Sequence, residues 1–335
     1  MPRATTSRTP AEIETLLLRE FLAAGDACVS GAALAKVVGL SRVAVWGHLH
    51  RLEADGFAFT PVHSRGYRLA ARPPLPHPAL IRALQPAAPE IVYLASVDST
   101  NEEAGRQLTA GRDAPFLVLA ASQTRGRGRF GRVWHSPPQA GNLYLSFGFR
   151  PALPPERMHL FTLWMGLNLC ELLAAETGAS PQLKWPNDLH FGERKVGGML
   201  TEARMDADQI RELVFGLGLN VATPDSAWPR EIAPRATTLA RESGRSLDLN
   251  GIAAAIIGRV MAAYERFLRA PPLDEIADLW NKHDLLAGRT VTVVQGSESH
   301  IGSARGIDNE GSLILRTPQG RTLRFRAGEV SLRKG

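Results

Sequence analysis

FLVLAASQTRGRGRFGRVW, residues 116–134, is the stretch on which the fold class turns. It begins as an apolar, strand-like run and passes into a loop where Gly126, Gly128 and Gly131 satisfy G-x-G-x-x-G. A dinucleotide site of that pattern needs a helix opening at the last glycine and an acidic residue about 20 positions later. Here SPPQAGN follows at 136–142, with Pro137, Pro138 and Gly141 against any helix, and the first acidic residue after Gly131 is Glu156. Val133 completes a protein kinase glycine loop, but V-A-I-K, H-R-D and D-F-G are absent, as is the P-loop pattern G-x-x-x-x-G-K-[ST]. The loop therefore runs from strand to strand. Arg125, Arg127, Arg129 and Arg132 crowd it, where like charges repel and glycine makes the backbone costly to order. The expectation is a segment mobile when empty and ordered by an anion, with guanidinium forks on phosphate or carboxylate. Trp134 would cover a nucleobase or apolar ligand; the plainer alternative is a solvated basic loop.

Working outward, IVYLAS, LYLSFGF, GGMLTEA and ELVFGLGLNV read as further strands, and helical stretches surround Asn101–Leu108, Met158–Glu176 and Leu249–Leu268. That mixture predicts an α/β domain with a mixed sheet. LKWPNDL sets Lys184 and Asp188 on either side of a Trp-Pro turn, a cation suited to phosphate and a carboxylate suited to Mg²⁺. HFGERKVGGMLTEA predicts a hairpin with its tip near Gly192, followed by Lys195 and by Gly197 and Gly198, which permit close backbone approach.

Upstream, Ala11–Ala24 has helical apolar spacing closed by Gly25, Ser30 opens a helix through Val38, and Ser41 caps a third helix ended by Gly56. Phe57–Thr60 and Gly66–Leu69 read as strands around a basic turn, Pro61–Arg65, giving a winged helix-turn-helix. Arg42, Val43, Trp46, Gly47, His50 and Arg51 on the third helix, with Arg65 in the wing, are the candidate DNA contacts. A winged helix that only pairs proteins, with Trp46 against another chain and His48 and His50 solvated, is the competing reading. ARPPLPHPA, residues 71–79, predicts a semi-rigid linker. Downstream, Thr290–Val294, Ser299–Ile307, Leu313–Arg316 and Thr322–Arg326 read as strands of a small β-barrel. The expected domains are 1–70, 80–287 and 288–335, with the linker at 71–79.

Composition fits this division. A chain of 335 residues with 44% hydrophobic content supports two or three cores. Lys and Arg outnumber Asp and Glu 9 to 6 over residues 1–72 and 8 to 4 over 289–335, against 22 to 23 between, so the positive excess lies at the ends. That suits end domains meeting polyanions, although so small an excess is also ordinary surface. Cys28 and Cys170 lack C-x-x-C or C-x-x-H neighbours, against a disulfide framework or structural zinc. No apolar run is read as reaching the ~18 residues of a membrane helix, and the polar start lacks a secretory centre, so a soluble cytoplasmic protein is expected.

DSTN at 98–101, QTRGRGRFGRVW at 123–134, KWPND at 184–188, KVGGML at 195–200 and GLGLN at 216–220 occur together and in order. With the winged helix and the terminal GEVSLR, the chain resembles the biotin-protein ligases that double as biotin operon repressors. The resemblance implies a central domain like class II aminoacyl-tRNA synthetases, a C-terminal SH3-like barrel, and ATP and Mg²⁺ as reactants with biotin. It implies biotinyl-5'-adenylate formation and transfer of biotin to a lysine of biotin carboxyl carrier protein. A mixed anhydride of this kind needs shelter from water, which a closing loop supplies. By motif position Ser99, Thr100, Gln123, Gly126, Arg127, Lys195, Gly198 and Gly216 would hold biotin. Arg129, Arg132, Trp134, Lys184, Asn187 and Asn220 would hold ATP or the adenylate, Asp188 the metal, and Lys195, Arg127, Arg129 and Lys184 would be catalytic. Operator DNA and an adenylate-favoured homodimer would be its partners. SPPQAGN departs from the family's S-P-x-G-x-N by one residue, with Gln139 in place of glycine. A biotin sensor without efficient transfer and a lipoate-type ligase are the alternative readings.

Overall fold

The computed structural model describes residues 8–137, 141–206 and 208–332, so Gln139 and the altered turn around it lie outside the described residues. Two compact units are present, residues through Ala88 with Asp248–Ile257, and Pro89–Leu247 with Gly258 onward.

In the first unit α1 (Pro10–Ala24) opens on a Thr9–Glu12 capping box with Pro at its first position. Ser30 and Ser41 accept from Ala33 and Ala44 N–H at 3.1 and 3.2 Å, starting α2 (Gly31–Val38) and α3 (Arg42–Ala54). Gly39, at φ 72°, makes the left-handed turn between them. Leu17, Leu18, Phe21, Leu34, Leu49 and Leu52 form the core. The wing is an antiparallel pair, β1 (Ala58–Val62) and β2 (Gly66–Ala71), so Pro61 belongs to a strand and the turn is shorter than expected. His48 is buried rather than solvated, with Nδ1 3.2 Å from Glu14.

Residues 71–79 do not end this unit. Pro78 starts a helix, α4 (Pro78–Leu84), whose Ala79, Leu80 and Ala83 join the same core. Asn250 locks the approach, its Nδ2 donating to Pro73 and Leu75 carbonyls and its Oδ1 accepting from His77 N–H.

The second unit is built on a seven-stranded mixed sheet. In chain order its elements are β3 (Glu90–Leu94), α5 (Thr100–Thr109), β4 (Phe116–Ala120), β5 (Asn142–Phe149), α6 (Arg157–Thr177), β6 (Gln182–Lys184), β7 (Asp188–Phe191), β8 (Arg194–Asp206) and β9 (Gln209–Asn220). The strand order is β3-β4-β5-β9-β8-β7-β6, parallel only between β3 and β4. Successive strand residues face opposite ways. Val214 meets α5 with Ala104, Leu108, Phe116 and Val118, while Phe215 meets Phe161 of α6, so the two helices cover opposite faces. Short α7 (Leu239–Ser243), the part of long α8 (Leu249–Arg269) from Gly258 onward, and α9 (Leu273–His283) are the remaining helices of this unit.

Contrary to the sequence expectation, α6 is long and apolar enough to cross a membrane by length and composition, but 72% of its apolar window is buried by protein. Its Trp164 Nε1 donates to Ala263 O at 2.9 Å on α8. It is a core helix, apolar around most of its circumference because protein surrounds it.

The C-terminal strands form one antiparallel sheet, β10 (Thr290–Gln295), β11 (Glu298–Ile307), β12 (Leu313–Arg316), β13 (Thr322–Phe325) and β14 (Glu329–Leu332), ordered β13-β12-β11-β10-β14. The fifth strand was not expected. Val291, Val293, Ala304, Leu313, Leu315, Phe325 and Val330 are buried in this sheet. Its β11–β12 turn reaches the mixed-sheet domain, where the Gly311 carbonyl accepts from His159 Nε2 at 2.8 Å and Trp185 Nε1 at 3.0 Å. Gly311 sits at φ +80°, and a Cβ there would lie 2.7 Å from Leu163, so the contact requires glycine.

Candidate active site

The C-terminal edge of α5's entry loop, the arginine loop, the KWPN turn and β14 enclose a cavity of about 740 Å³. At one end the polar groups are neutral and mutually satisfied. Thr100 N–H and Oγ1 donate to Gln123 Oε1 at 2.8 and 3.1 Å, and Gln123 Nε2 donates to Ser136 at 3.2 Å. Asn101 Oδ1 accepts from Ser146 at 2.6 Å, and its Nδ2 donates to Glu202 at 2.9 Å and to Leu200 O at 3.2 Å. Gly216 lies directly beneath, since a Cβ there would fall 2.0 Å from Asn101 Oδ1. Ser99 completes this end, 2% exposed at the start of α5.

The other end is charged. Lys184 pairs in register with Asp188 across the turn, and Asp188 Oδ1 stands 2.7 Å from Lys195 Nζ. Two forces oppose one another at Asp188: burial raises its carboxyl, the Lys195 ammonium lowers it, and the ammonium wins. Burial lowers Lys184 and Arg129, and pushes His190 down to about 4. Asn187 holds the turn by donating to Met199 O at 2.6 Å and accepts from Arg129 at 3.4 Å.

Trp134 bridges the ends. Its indole rests on bare backbone: a Cβ on Gly218 would be 2.6 Å from it and one on Gly198 3.2 Å. Lys195 Nζ lies 5.3 Å from the ring centroid, a cation–π distance. Behind it Gly126 has a Cβ position 2.6 Å from Trp134 O, so glycine is required there as well. A second cavity of about 430 Å³ shares Trp134, Lys184 and Lys195 and adds Asn220 and Trp228; Asn220 Nδ2 donates to Thr237 O at 3.3 Å.

The arginine loop differs from the picture of unpaired, repelling charges. It closes on itself through Gly128 N–H to Arg132 O at 2.7 Å and Trp134 N–H to Gly126 O at 2.9 Å. Its cations take protein carboxylates: Arg125 pairs with Asp98, Arg127 with Glu102 and Glu202, and Arg132 with Glu329 of β14. Arg129 instead lies over Phe130, 4.8 Å from the ring.

Thus Ser99, Thr100, Gln123, Arg127, Arg129, Arg132, Trp134, Lys184, Asn187, Asp188, Lys195, Gly198 and Gly216 all line the larger cavity, Asn220 lines the smaller, and Gly126 supports Trp134 from behind. Sequence reasoning missed the parts played by Asn101, Glu202, Glu329, Arg235 and His190. Asn101 stood inside the DSTN motif, whereas nothing near Glu202 or Glu329 in the chain announces an arginine partner. Among the described residues no group of three His, Cys, Asp or Glu could hold a metal ion.

In the first unit Arg42, Val43, Trp46, His50 and Arg65 are all exposed, Val43 78% and Trp46 53%. His50 lies 2.9 Å from Glu53 and meets Trp46 edge-on at 4.0 Å. Arg51 turns toward Glu14 at 3.2 Å.

Residues 93–220 match the biotin/lipoate A/B protein ligase family, 287–333 the biotin protein ligase C-terminal domain, and 14–68 an HTH domain. The bifunctional ligase/repressor BirA of Bacillus spizizenii is 31% identical over 91% of this chain and 94% of its own length. The biotin–[acetyl-CoA-carboxylase] ligase of Mycobacterium tuberculosis is 32% identical over 77% of this chain and 96% of its own. The structure of biotin protein ligase from Aquifex aeolicus in complex with biotin and ATP superposes with a TM-score of 0.63, at 31% identity, covering 73% of this chain and 99% of that one.

Proposed function

This chain belongs to the biotin protein ligase family, among the members that carry an HTH domain, and from that membership we propose its function. It is an ATP-dependent biotin–[acetyl-CoA-carboxylase] ligase and a biotin-responsive transcriptional repressor. The observation that carries the proposal is the single cavity joining a neutral hydrogen-bonding end at Ser99, Thr100 and Gln123 to the Lys184–Asp188–Lys195 group beneath an arginine loop.

In this scheme the neutral end and the Gly126, Gly198 and Gly216 backbone take biotin. Its carboxylate attacks the α-phosphorus of ATP, pyrophosphate leaves, and biotinyl-5'-adenylate forms. Lys195 and Lys184 stabilise charge at the reacting centre, and Arg127 and Arg129 hold carboxylate and phosphate. Arg127 and Arg132 can do so by exchanging Glu102, Glu202 and Glu329 for substrate anions, so the loop trades one set of carboxylates for another. Trp134, Asn187 and Asn220 surround the adenine. A lysine amine of biotin carboxyl carrier protein then attacks the activated carbonyl, AMP leaves, and an amide forms. Mg²⁺ enters with the nucleotide as substrate. Asp188 would hold such an ion together with phosphate oxygens, since Mg²⁺ takes one or two carboxylates beside substrate phosphates.

The mixed sheet is assigned the class II aminoacyl-tRNA synthetase-like architecture, and the C-terminal sheet the SH3-like barrel. Arg42, Val43, Trp46, His50 and Arg65 read operator DNA, with the adenylate-bound chain as a cytoplasmic homodimer on a palindromic site. Incubation with labelled biotin, ATP and a biotin carboxyl carrier domain should label the acceptor lysine; no transfer ends the enzymatic reading, and preferential use of lipoate redirects it. A gel shift without operator affinity in the presence of adenylate removes repression.

A further inference from the structure

His190 has no task in the scheme above. It lies on β7 two residues beyond Asp188, so both side chains leave the same face of the strand, and its register partners are Gln182 and Lys195. It is 7% exposed, and among the described residues neither Nδ1 nor Nε2 has a hydrogen-bond partner of normal geometry, the Glu193 backbone offering only a weak one. Folds ordinarily satisfy a buried imidazole, with one nitrogen donating and the other accepting. A core histidine of the usual kind would show a protein partner here, and a surface histidine would reach water.

The ring's surroundings say what it could meet. His190 lines both cavities, and Arg132, Lys184, Lys195 and Arg235 line both as well. Among the described residues, Asp188 and Glu193 are the carboxylates lining both cavities and Glu329 lines the larger alone; Asp188 is engaged by Lys195 and Glu329 by Arg132. Ser99, Thr100 and Gln123 line the larger cavity alone, so His190 stands where the two cavities share a wall, beside Lys195 and apart from the biotin end. A polyanion fits that wall. A ring N–H directed at a phosphate oxygen makes a charge-assisted hydrogen bond without adding a fifth cation to the cluster.

We propose that His190 is a binding residue for the diphosphate portion of the nucleotide, its ring N–H donating to a β- or γ-phosphate oxygen of ATP and to pyrophosphate as it leaves. The assignment rests on the ATP-dependent ligase reading. It adds a contact that is made by the diphosphate portion, in ATP and in free pyrophosphate, and not by biotin.

The test compares His190→Phe, which keeps a planar ring without a donor, with His190→Gln, which keeps a donor. Inorganic pyrophosphate is the probe, measured by calorimetry on the full chain and as an inhibitor competing with ATP. His190→Phe should weaken pyrophosphate about tenfold, equivalent to about 1.4 kcal/mol, and raise the KM for ATP by a similar factor while the KM for biotin stays put. His190→Gln should recover most of that affinity. Wild-type pyrophosphate affinity in a folded His190→Phe variant overturns the assignment. So does equal loss of biotin and pyrophosphate affinity, or a failure of His190→Gln to improve on His190→Phe. If the Phe variant does not fold, His190→Ala takes its place in the same comparison. Biotin-dependent exchange of pyrophosphate into ATP by the wild-type chain tests the ligase reading separately, so the two can fail independently.

Discussion

Gly216→Ala should damage the protein by displacing a neighbour rather than by stiffening the strand. The added Cβ would stand 2.0 Å from Asn101 Oδ1, where ordinary contact begins near 3.4 Å, so Asn101 must retreat by more than an ångström. That retreat breaks its bonds to Ser146, Glu202 and Leu200 O, at 2.6, 2.9 and 3.2 Å. At about 1 kcal/mol net per bond the loss is about 3 kcal/mol, or a fall in Tm of roughly 6–12 °C for a domain of this size. Asn101→Ala removes the same bonds and should cost a comparable amount, but it also clears the space. The double variant should therefore cost about 3 kcal/mol rather than about 6, a coupling far outside the ~0.5 kcal/mol scatter of independent sites. Chemical denaturation of the four proteins measures this, with the KM for biotin as the functional counterpart. Additive losses would refute the claim that Gly216 is glycine on account of Asn101.

Lys195→Ala should lower the rate of adenylate formation by about a hundredfold or more, the usual effect of losing a donor aimed at developing charge; single-turnover assays decide, and a wild-type rate refutes the role. Burial raises Asp284 to about 6 from an ordinary value near 3.8, so the folded state favours its neutral form. Stability from this group is complete below about pH 4 and is lost as pH rises through 6, by about 3 kcal/mol. Asp284→Asn, which retains the acceptor for Leu286 N–H, should flatten that part of the pH–stability curve, and an unchanged curve would count against it. Trp46→Ala should weaken operator binding while leaving Tm and biotin transfer near wild type, because the ring is 53% exposed. Arg42→Ala should reduce the salt dependence of operator binding by about one counterion if it meets a phosphate.

Much of the fold was legible because local chemistry announces it. Ser30 and Ser41 begin helices as N-caps do, Gly39 separates them, and the apolar runs of the sheet lie where expected. The failures have physical causes. PPLPHPA reads as a linker, yet Pro78 is well placed at a helix start and its neighbours Ala79 and Leu80 are bought into a core by α1, which local sequence does not reveal. The four residues of β14 are too few to carry a period, and α6 looked ordinary because its polar interruptions hide its overall apolarity. In the site, Gly197 and Gly198 could be read as a place of close approach, but not what approaches them, nor that Gly126, Gly216 and Gly218 are as crowded. Trp134 comes from a different strand connection and Asn101 from a different helix. The arginine partners Glu202 and Glu329 lie 75 and 197 residues away from Arg127 and Arg132, beyond any local pattern.

The carbonyl of Gly311 takes two N–H groups from across a domain seam, one from α6 and one from the turn that carries Lys184 and Asn187. A chain cut after residue 287 would strip that shared acceptor from an indole that is 1% exposed and from its imidazole neighbour. The C-terminal sheet therefore serves as a buttress for the nucleotide turn, and shortening the protein there amounts to loosening the catalytic half itself.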